Sequence, residues 1–379
     1  MDFELSQDHK VLQSSVRDFV EKEVKPLAIQ IDEQHAIPDE LVRKMSAMGF
    51  LGSYLPEAYG GAGLDILSYA IVVEEVSKAC ASSGILISAH TSLACDPILQ
   101  FGTEEQKRKY LPPLACGEKI GCILLTESDA GSDPANLSTT YVKDGSDFVI
   151  NGNKIFVTNG GYRGTGILFA TFDKSLKHKG ISAFIVDLQS EGVEILRHES
   201  KLGIRGTYTT AFALNNLRLP ASCLLGSEGQ GFKIAMETLN GGRIGVSAQA
   251  LGIAEGAFER ARNYSKERVQ FGRPIREQQA IQFKLADMYM RIETSRLAVY
   301  QAAWLKGNKK PYILESALCK LHASETATFV TKEALQIHGG YGYVTEYEVE
   351  RMYRDAKITE IYEGTSEVQR LIIAKALLS

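Results

Sequence analysis

Glu363 stands in the string Ile361-Tyr362-Glu363-Gly364-Thr365-Ser366-Glu367. A carboxylate there has two readings. Shielded from water, it becomes a stronger base, able to take a proton from carbon. At the head of the stretch 365–378, it is an acid favoured by a helix dipole. Arg243 follows Asn240-Gly241-Gly242, and Arg268 follows Glu267. A guanidinium suits paired phosphate oxygens, but it is equally at home as a solvated helix charge. Thr126, Ser132 and Thr158 carry hydroxyls in turn-rich surroundings. Such groups either meet a ligand or satisfy turn backbone. Seven histidines and six cysteines are scattered without zinc spacing, so no metal is expected. There is no GxGxxG, P-loop, HExxH or GxSxG string. Spacing alone leaves the enzyme class open.

The elements that must position these residues fall into three zones. Residues 1–118 read as helices. Leu12, Val16, Phe19 and Val20 keep helical spacing behind Ser6 as N-cap. Pro38-Asp39-Glu40 opens a second helix. Thr103-Glu104-Glu105-Gln106 is a capping box for another, which Pro112, Pro113 and Gly117 bring to an end. Residues 119–226 change period. Short β-rich runs at 120–125, 139–143, 148–150, 167–172, 181–186 and 208–214 are separated in part by the turns Asp144-Gly145 and Asn151-Gly152. Missing helical crossovers argue for an antiparallel sandwich or barrel and against a Rossmann sheet. Residues 227–379 return to long helices, with Ile281, Leu285, Met288, Ile292 and Val299 on one stripe. Gly241-Gly242 and the run 338–342 interrupt that helical pattern.

Composition narrows the class further. The chain has 379 residues, 44% hydrophobic and 23% charged, which suits a globular protein of two or three domains. Its formal charge of −4 gives no footprint for nucleic acid. No apolar run reaches the ~20 residues of a membrane span. Met1-Asp2-Phe3-Glu4 shows no signal or transit pattern. Scattered cysteines suit a reducing compartment. Bacterial cytoplasm is therefore expected, with the mitochondrial matrix after presequence removal as the alternative.

Six strings together carry a family resemblance. Residues 125–133, LTESDAGSD, resemble the LTEPxAGSD signature of acyl-CoA dehydrogenases, with Ser128-Asp129 in place of Pro-Asn. Phe156-Val157-Thr158-Asn159 resembles the strand that follows, with Phe156 where Trp is usual. Leu202-Gly203-Ile204-Arg205-Gly206, Arg268-Val269-Gln270-Phe271-Gly272 and Gln336-Ile337-His338-Gly339-Gly340 continue the likeness. The IYEGTSE string at 361–367 matches the short-chain, butyryl-type branch. The resemblance implies an α+β fold: an N-terminal helical domain (1–118), a middle β domain (119–226) and a C-terminal four-helix bundle (227–379).

It also implies a reaction. An acyl-CoA loses a proton from Cα to Glu363 and a hydride from Cβ to the N5 of FAD, giving the trans-2-enoyl-CoA. Some long-chain and isovaleryl-type relatives carry their base just before the arginine, where this chain has Gly242, so Glu363 is the one base on offer. By the same resemblance Leu125, Thr126, Ser132, Phe156 and Thr158 hold the isoalloxazine. Arg268, Phe271, Gln279, Gln336, Gly339 and Gly340 meet the FAD pyrophosphate and adenine side from a neighbouring subunit, and Thr365 and Glu367 complete the cofactor set. Asn240, Arg243, Gly364, Thr91 and Ser132 meet the acyl-CoA. The implied partners are an electron-transferring flavoprotein and further copies of the chain, as a homotetramer. Branched or alicyclic acyl groups such as cyclohexane-1-carbonyl-CoA, an oxidase using O2, and a non-catalytic CoA-binding scaffold are the alternatives.

Overall fold

The computed structural model describes residues 4–378. The targeting expectation read from Met1–Glu4 therefore falls almost wholly outside the described residues. The N-terminal helices are α1 (Gln7–Phe19), α2 (Ala28–Gln34), α3 (Asp39–Ala47), α4 (Ile66–Ala79), α5 (Ala81–His90), α6 (Asp96–Phe101) and α7 (Glu104–Ala115). Ser6 caps α1 by accepting from the His9 amide, and Thr103 with Gln106 forms the full capping box of α7. Each cap contributes about 1 kcal/mol. One buried Leu or Ile contributes about 2 kcal/mol, so packing rather than capping holds this layer. Pro112 and Pro113 do not end α7; the helix runs through them to Ala115. The amides they lack would have faced the carbonyls of Arg108 and Lys109, two exposed residues whose carbonyls water can serve. The stop comes at Gly117, at φ 72°.

The strands are β1 (Ile120–Leu124), β2 (Thr140–Asp144), β3 (Asp147–Thr158), β4 (Gly164–Thr171), β5 (Ile181–Asp187), β6 (Val193–His198), β7 (Thr209–Pro220) and β8 (Leu224–Leu225). They form one eight-stranded sheet in the order β6-β7-β3-β2-β4-β5-β8, with β1 paired to β4. Most pairings are antiparallel; β1 and β2 both run parallel to β4. Asp144-Gly145 makes the expected hairpin turn between β2 and β3. Asn151-Gly152 does not turn the chain. It is a bulge inside β3, where Gly152 passes so close to Thr139 that a Cβ would lie 2.4 Å from its hydroxyl. On β4 and β5, Ile167, Phe169, Ala183 and Ile185 pack toward α6, α7 and the helix that follows the sheet. Leu168, Ala170, Phe184 and Val186 face the other way, onto Tyr141, Phe148 and Phe212.

The C-terminal helices are α8 (Gly231–Glu267), α9 (Gln279–Gly307), α10 (Ile313–His338), α11 (Val349–Ile358) and α12 (Ser366–Leu378). Between α8 and α9 a small hairpin pairs β9 (Val269–Gln270) with β10 (Arg273–Pro274). Helix α8 packs on α4, α5, α9, α10 and β5, so one element about 55 Å long touches all three zones. At Gly252 a Cβ would lie 2.2 Å from the Glu74 carbonyl, so the contact with α4 requires glycine. The N-terminal and C-terminal helices share one core, from Val16 to Ala356. Two helical segments far apart in sequence are thus one packed body, with the sheet on its flank.

Candidate active site

The chain from α11 to α12 turns at Glu363 and Gly364, which have φ of 52° and 97°. A non-glycine residue in that left-handed region costs about 1–2 kcal/mol, so neighbours must hold it. The Gly364 carbonyl accepts from Lys320 Nζ at 2.7 Å and from Gln369 Nε2 at 2.8 Å. The Glu363 carbonyl accepts longer bonds from Arg243 Nε and Gln369 Nε2, both at 3.4 Å. Thr365 takes the capping role for α12, its hydroxyl accepting from the Val368 amide. Glu363 is therefore not the helix cap.

Its side chain turns inward instead. Oε2 has no exposed surface and no hydrogen-bond partner. Burial pushes the carboxyl up to about 7, against the opposing pull of Lys320 and then Arg243. The carboxylate lies directly on α8 at Gly242: a Cβ there would sit 2.1 Å from Oε2 and 2.8 Å from Leu93 Cδ2. This corrects the reading of Gly241-Gly242 as an interruption. Helix α8 passes through both without a break. The glycines make room on its surface, Gly242 for the carboxylate and Gly241 for Lys306.

Arg243, one residue on, is buried, with its guanidinium on Asn240 Oδ1 at 2.6 Å. Glu363, Gly364, Arg243 and Asn240 are thus brought together. Thr91 is buried too, but its hydroxyl donates to the Leu51 carbonyl. The side chain that the widened helical stretch Thr91–Cys95 sets against the Glu363–Gly242 contact is that of Leu93.

The hydroxyl-bearing segment follows β1 and backs onto β3. Leu125 is buried and Thr126 half-buried, and the Thr126 carbonyl accepts from the Ile155 amide on β3. The next residue, Phe156, has φ 57° and is 60% exposed. Ser132 is exposed, and Thr158 half-buried. Behind them Lys154, fully buried, donates to the Leu125 carbonyl at 3.1 Å and to Glu127 Oε1 at 2.6 Å. Glu127 also accepts from the Ser138 and Thr139 amides. Lys154 and Glu127 were not singled out in the sequence. No local signal marks Lys154, which stands between Asn153 and Ile155; its burial comes from the fold.

A third group gathers at the far end of α8. Arg268, Gly339 and Gly340 line a groove of about 840 Å³ together with Tyr264 and Tyr341. The Arg268 guanidinium lies over the Tyr341 ring, 5.2 Å from its centroid. Phe271 is 95% exposed at φ 55°, and Gln279, Gln336 and Glu367 are exposed. A guanidinium beside two glycines with open space above them suits a pyrophosphate. The open Phe156 ring suits a flat heterocycle. The donor set present therefore fits FAD.

Family models match nearly the whole chain. The N-terminal domain of acyl-CoA dehydrogenases matches residues 6–118, the middle domain 122–217 and the C-terminal domain 229–378. The chain belongs to the acyl-CoA dehydrogenase family. It is 52% identical, over 99% of both chains, to the short-chain specific acyl-CoA dehydrogenase of Clostridium acetobutylicum. The butyryl-CoA dehydrogenase structure from Megasphaera elsdenii matches with TM-score 0.98 and 47% identity over the full length of both. A chain from structural work on the electron transferring flavoprotein of Acidaminococcus fermentans matches equally, with TM-score 0.98, 49% identity and full coverage of both chains. No described helix is long and apolar enough to cross a membrane.

Within this family the Gly242 contact makes a sharp prediction. Gly242→Ala gains about 0.5–1 kcal/mol of helix propensity, which offsets part of the roughly 1–3 kcal/mol cost of crowding Oε2 and Leu93, so thermal stability should fall only slightly. The new methyl displaces the carboxylate by about 1 Å, which costs on the order of 100-fold in turnover. Turnover within twofold of the parent, at unchanged far-ultraviolet circular dichroism, would show that the contact has no role.

Proposed function

We propose that the chain oxidises a short-chain, butyryl-type acyl-CoA to its trans-2-enoyl-CoA, with Glu363 as the base. One observation carries this reading: an enclosed, unpartnered carboxylate oxygen laid against a glycine of α8. Burial raises the basicity of Glu363, so it takes the Cα proton at near-neutral pH. Arg243 and Asn240 border the Glu363 turn and face the acyl-CoA, with Gly364 and Ser132 as further contacts and Leu93 in the place expected for Thr91. The backbone amide of Glu363 polarises the thioester carbonyl, which stabilises the enolate-like oxygen without a charged side chain.

FAD, when bound, accepts the β-hydrogen as hydride. Leu125, Thr126, Ser132, Phe156 and Thr158 would hold its ring system. Arg268, Phe271, Gln279, Gln336, Gly339 and Gly340 would reach the pyrophosphate and adenine of a neighbouring subunit's cofactor, with Thr365 and Glu367 nearby. That arrangement requires an oligomer, which we take to be a homotetramer. The exposed Phe283, Tyr289, Met290, Leu297 and Trp304 of α9 support it. The electron acceptor is an electron-transferring flavoprotein, the compartment the bacterial cytoplasm, and the domain boundaries lie near 118 and 226.

The test is anaerobic mixing of the purified yellow protein with butyryl-, isobutyryl-, 2-methylbutyryl-, glutaryl- and cyclohexanecarbonyl-CoA. Butyryl-CoA is expected to bleach the visible flavin band fastest. Faster bleaching by a branched or cyclic substrate would overturn the chain-length reading. A colourless protein, or no bleaching with any acyl-CoA, would overturn the activity.

A further inference from the structure

Lys320 is a fully buried lysine on α10. Lysine is almost never found in that position without a partner. Among the described residues no carboxylate lies within ion-pair distance of it. Its recorded hydrogen bond runs to the Gly364 carbonyl, at 2.7 Å, which uses one of its three donors. Three anions act on it: Glu363 most strongly, then Glu360 and Glu367, while Arg243 repels it. Glu360 is paired with Lys357 at 2.5 Å, and Glu367 is exposed. The uncommitted anion of this set is Glu363.

Charged and titratable groups reach Glu363 from four elements. Lys320 comes from α10, Arg243 from α8, Tyr69 from α4, and Tyr362 precedes it in its own turn. Arg243 is engaged with Asn240 Oδ1 and the Glu363 carbonyl. Both tyrosines are held well above their ordinary range, mainly by burial, and so stay neutral. That leaves Lys320 as a cation with no carboxylate of its own. Burial lowers it to about 8, so it carries its charge at neutral pH.

We propose that Lys320 is a positioning residue for the base: it fixes the left-handed Glu363–Gly364 turn through the Gly364 carbonyl and favours the ionised form of the Glu363 carboxylate. This rests on the reading of Glu363 as the base. The two parts of the role separate by substitution. Lys320→Gln keeps a donor for the carbonyl and loses the charge. Lys320→Met loses both, and Lys320→Arg keeps the charge.

The experiment is the pH profile of kcat/KM for butyryl-CoA with the FAD-loaded protein, which reports the free enzyme. The base works only when ionised, so activity falls as pH drops through its pKa. In the parent the acid limb should lie near pH 7, the value to which Glu363 is raised. Removing a neighbouring cation raises a carboxyl pKa, so the Gln and Met variants should move that limb up by about one pH unit. At about pH 6 that is a further tenfold loss relative to the parent. Lys320→Arg should restore the parent limb. A purely structural lysine would instead lower kcat/KM equally at every pH, and an unmoved limb in Lys320→Gln overturns the proposal. If Lys320→Met does not fold, Lys320→Gln carries the comparison. Should Glu363→Gln keep full activity, the base reading itself fails; a dead Glu363→Gln with an unmoved limb removes the Lys320 role alone.

Discussion

Glu363→Gln is expected to lower the rate of flavin reduction by butyryl-CoA by about 10³–10⁴-fold, with FAD and acyl-CoA still bound. The amide matches the carboxylate in size, so the fit against Gly242 and Leu93 is preserved. What it loses is the ability to accept a proton. No other acid among the described residues is placed to substitute, because the α8 position facing this space is glycine. Asp96 is engaged with Lys306 at 2.9 Å.

The same variant has a stability signature of opposite sign. The Glu363 carboxyl is raised in the folded protein from 4.5 to about 7. Between those values the folded state binds more protons than the unfolded one. Stability from this group is therefore present at low pH and is lost as pH rises toward 7. Discounted for the residue's partial exposure, the ionised group costs about 2 kcal/mol at alkaline pH. Glu363→Gln removes that cost, so the inactive variant should melt higher than the parent at about pH 8 and alike at about pH 5. Rapid-mixing bleaching and thermal melts at the two pH values check both halves. Flavin reduction within tenfold of the parent would remove Glu363 from the chemistry.

The legibility of the sequence differed by the kind of physics involved. Local signals came through: Ser6 and the Thr103–Gln106 box are short-range hydrogen-bond patterns, and both cap the helices expected of them. Short β-rich runs located the sheet: β5 reads as a nearly continuous apolar run because both of its faces are packed. Strand β6 was missed because it is an edge strand, exposed from Glu194 to His198, with no alternation to read. Glycine was misread twice. At 152 and at 241–242 a local rule predicted a break, whereas the residue answers a close approach from another element. The site shows the same division. The Glu363 string could be read as a candidate base, but its confinement could not, since Gly242, Leu93, Lys320 and Arg243 come from three other segments. Lys320 and Lys154 looked like ordinary charges; only tertiary burial makes them unusual.

The second large effect is expected at Lys154. This ammonium and Glu127 form a buried pair behind the segment proposed to hold the flavin. Burial pushes the Glu127 carboxyl up, but Lys154 and the Ser138 and Thr139 amides outweigh it and hold it below its usual range. Burial lowers Lys154 to about 8, still charged at neutral pH. Lys154→Met leaves Glu127 charged in a dry site and removes the donor from the Leu125 carbonyl. Stranding one partner of such a pair costs about 3–5 kcal/mol. The carbonyl belongs to the residue before Thr126, and Phe156 lies two residues from Lys154 on β3, so the loss falls on both sides of the proposed flavin site. The FAD content of the purified variant should therefore fall along with its urea midpoint. Pairing Lys154→Met with Glu127→Gln should recover much of the stability, because no uncompensated charge remains. The FAD deficit should persist, since the Leu125 carbonyl still lacks its donor. Equal recovery of both would mean that the pair acts through charge alone. A single variant within about 1 kcal/mol of the parent would mean that water reaches Glu127, and that the loop is held by backbone pairing instead.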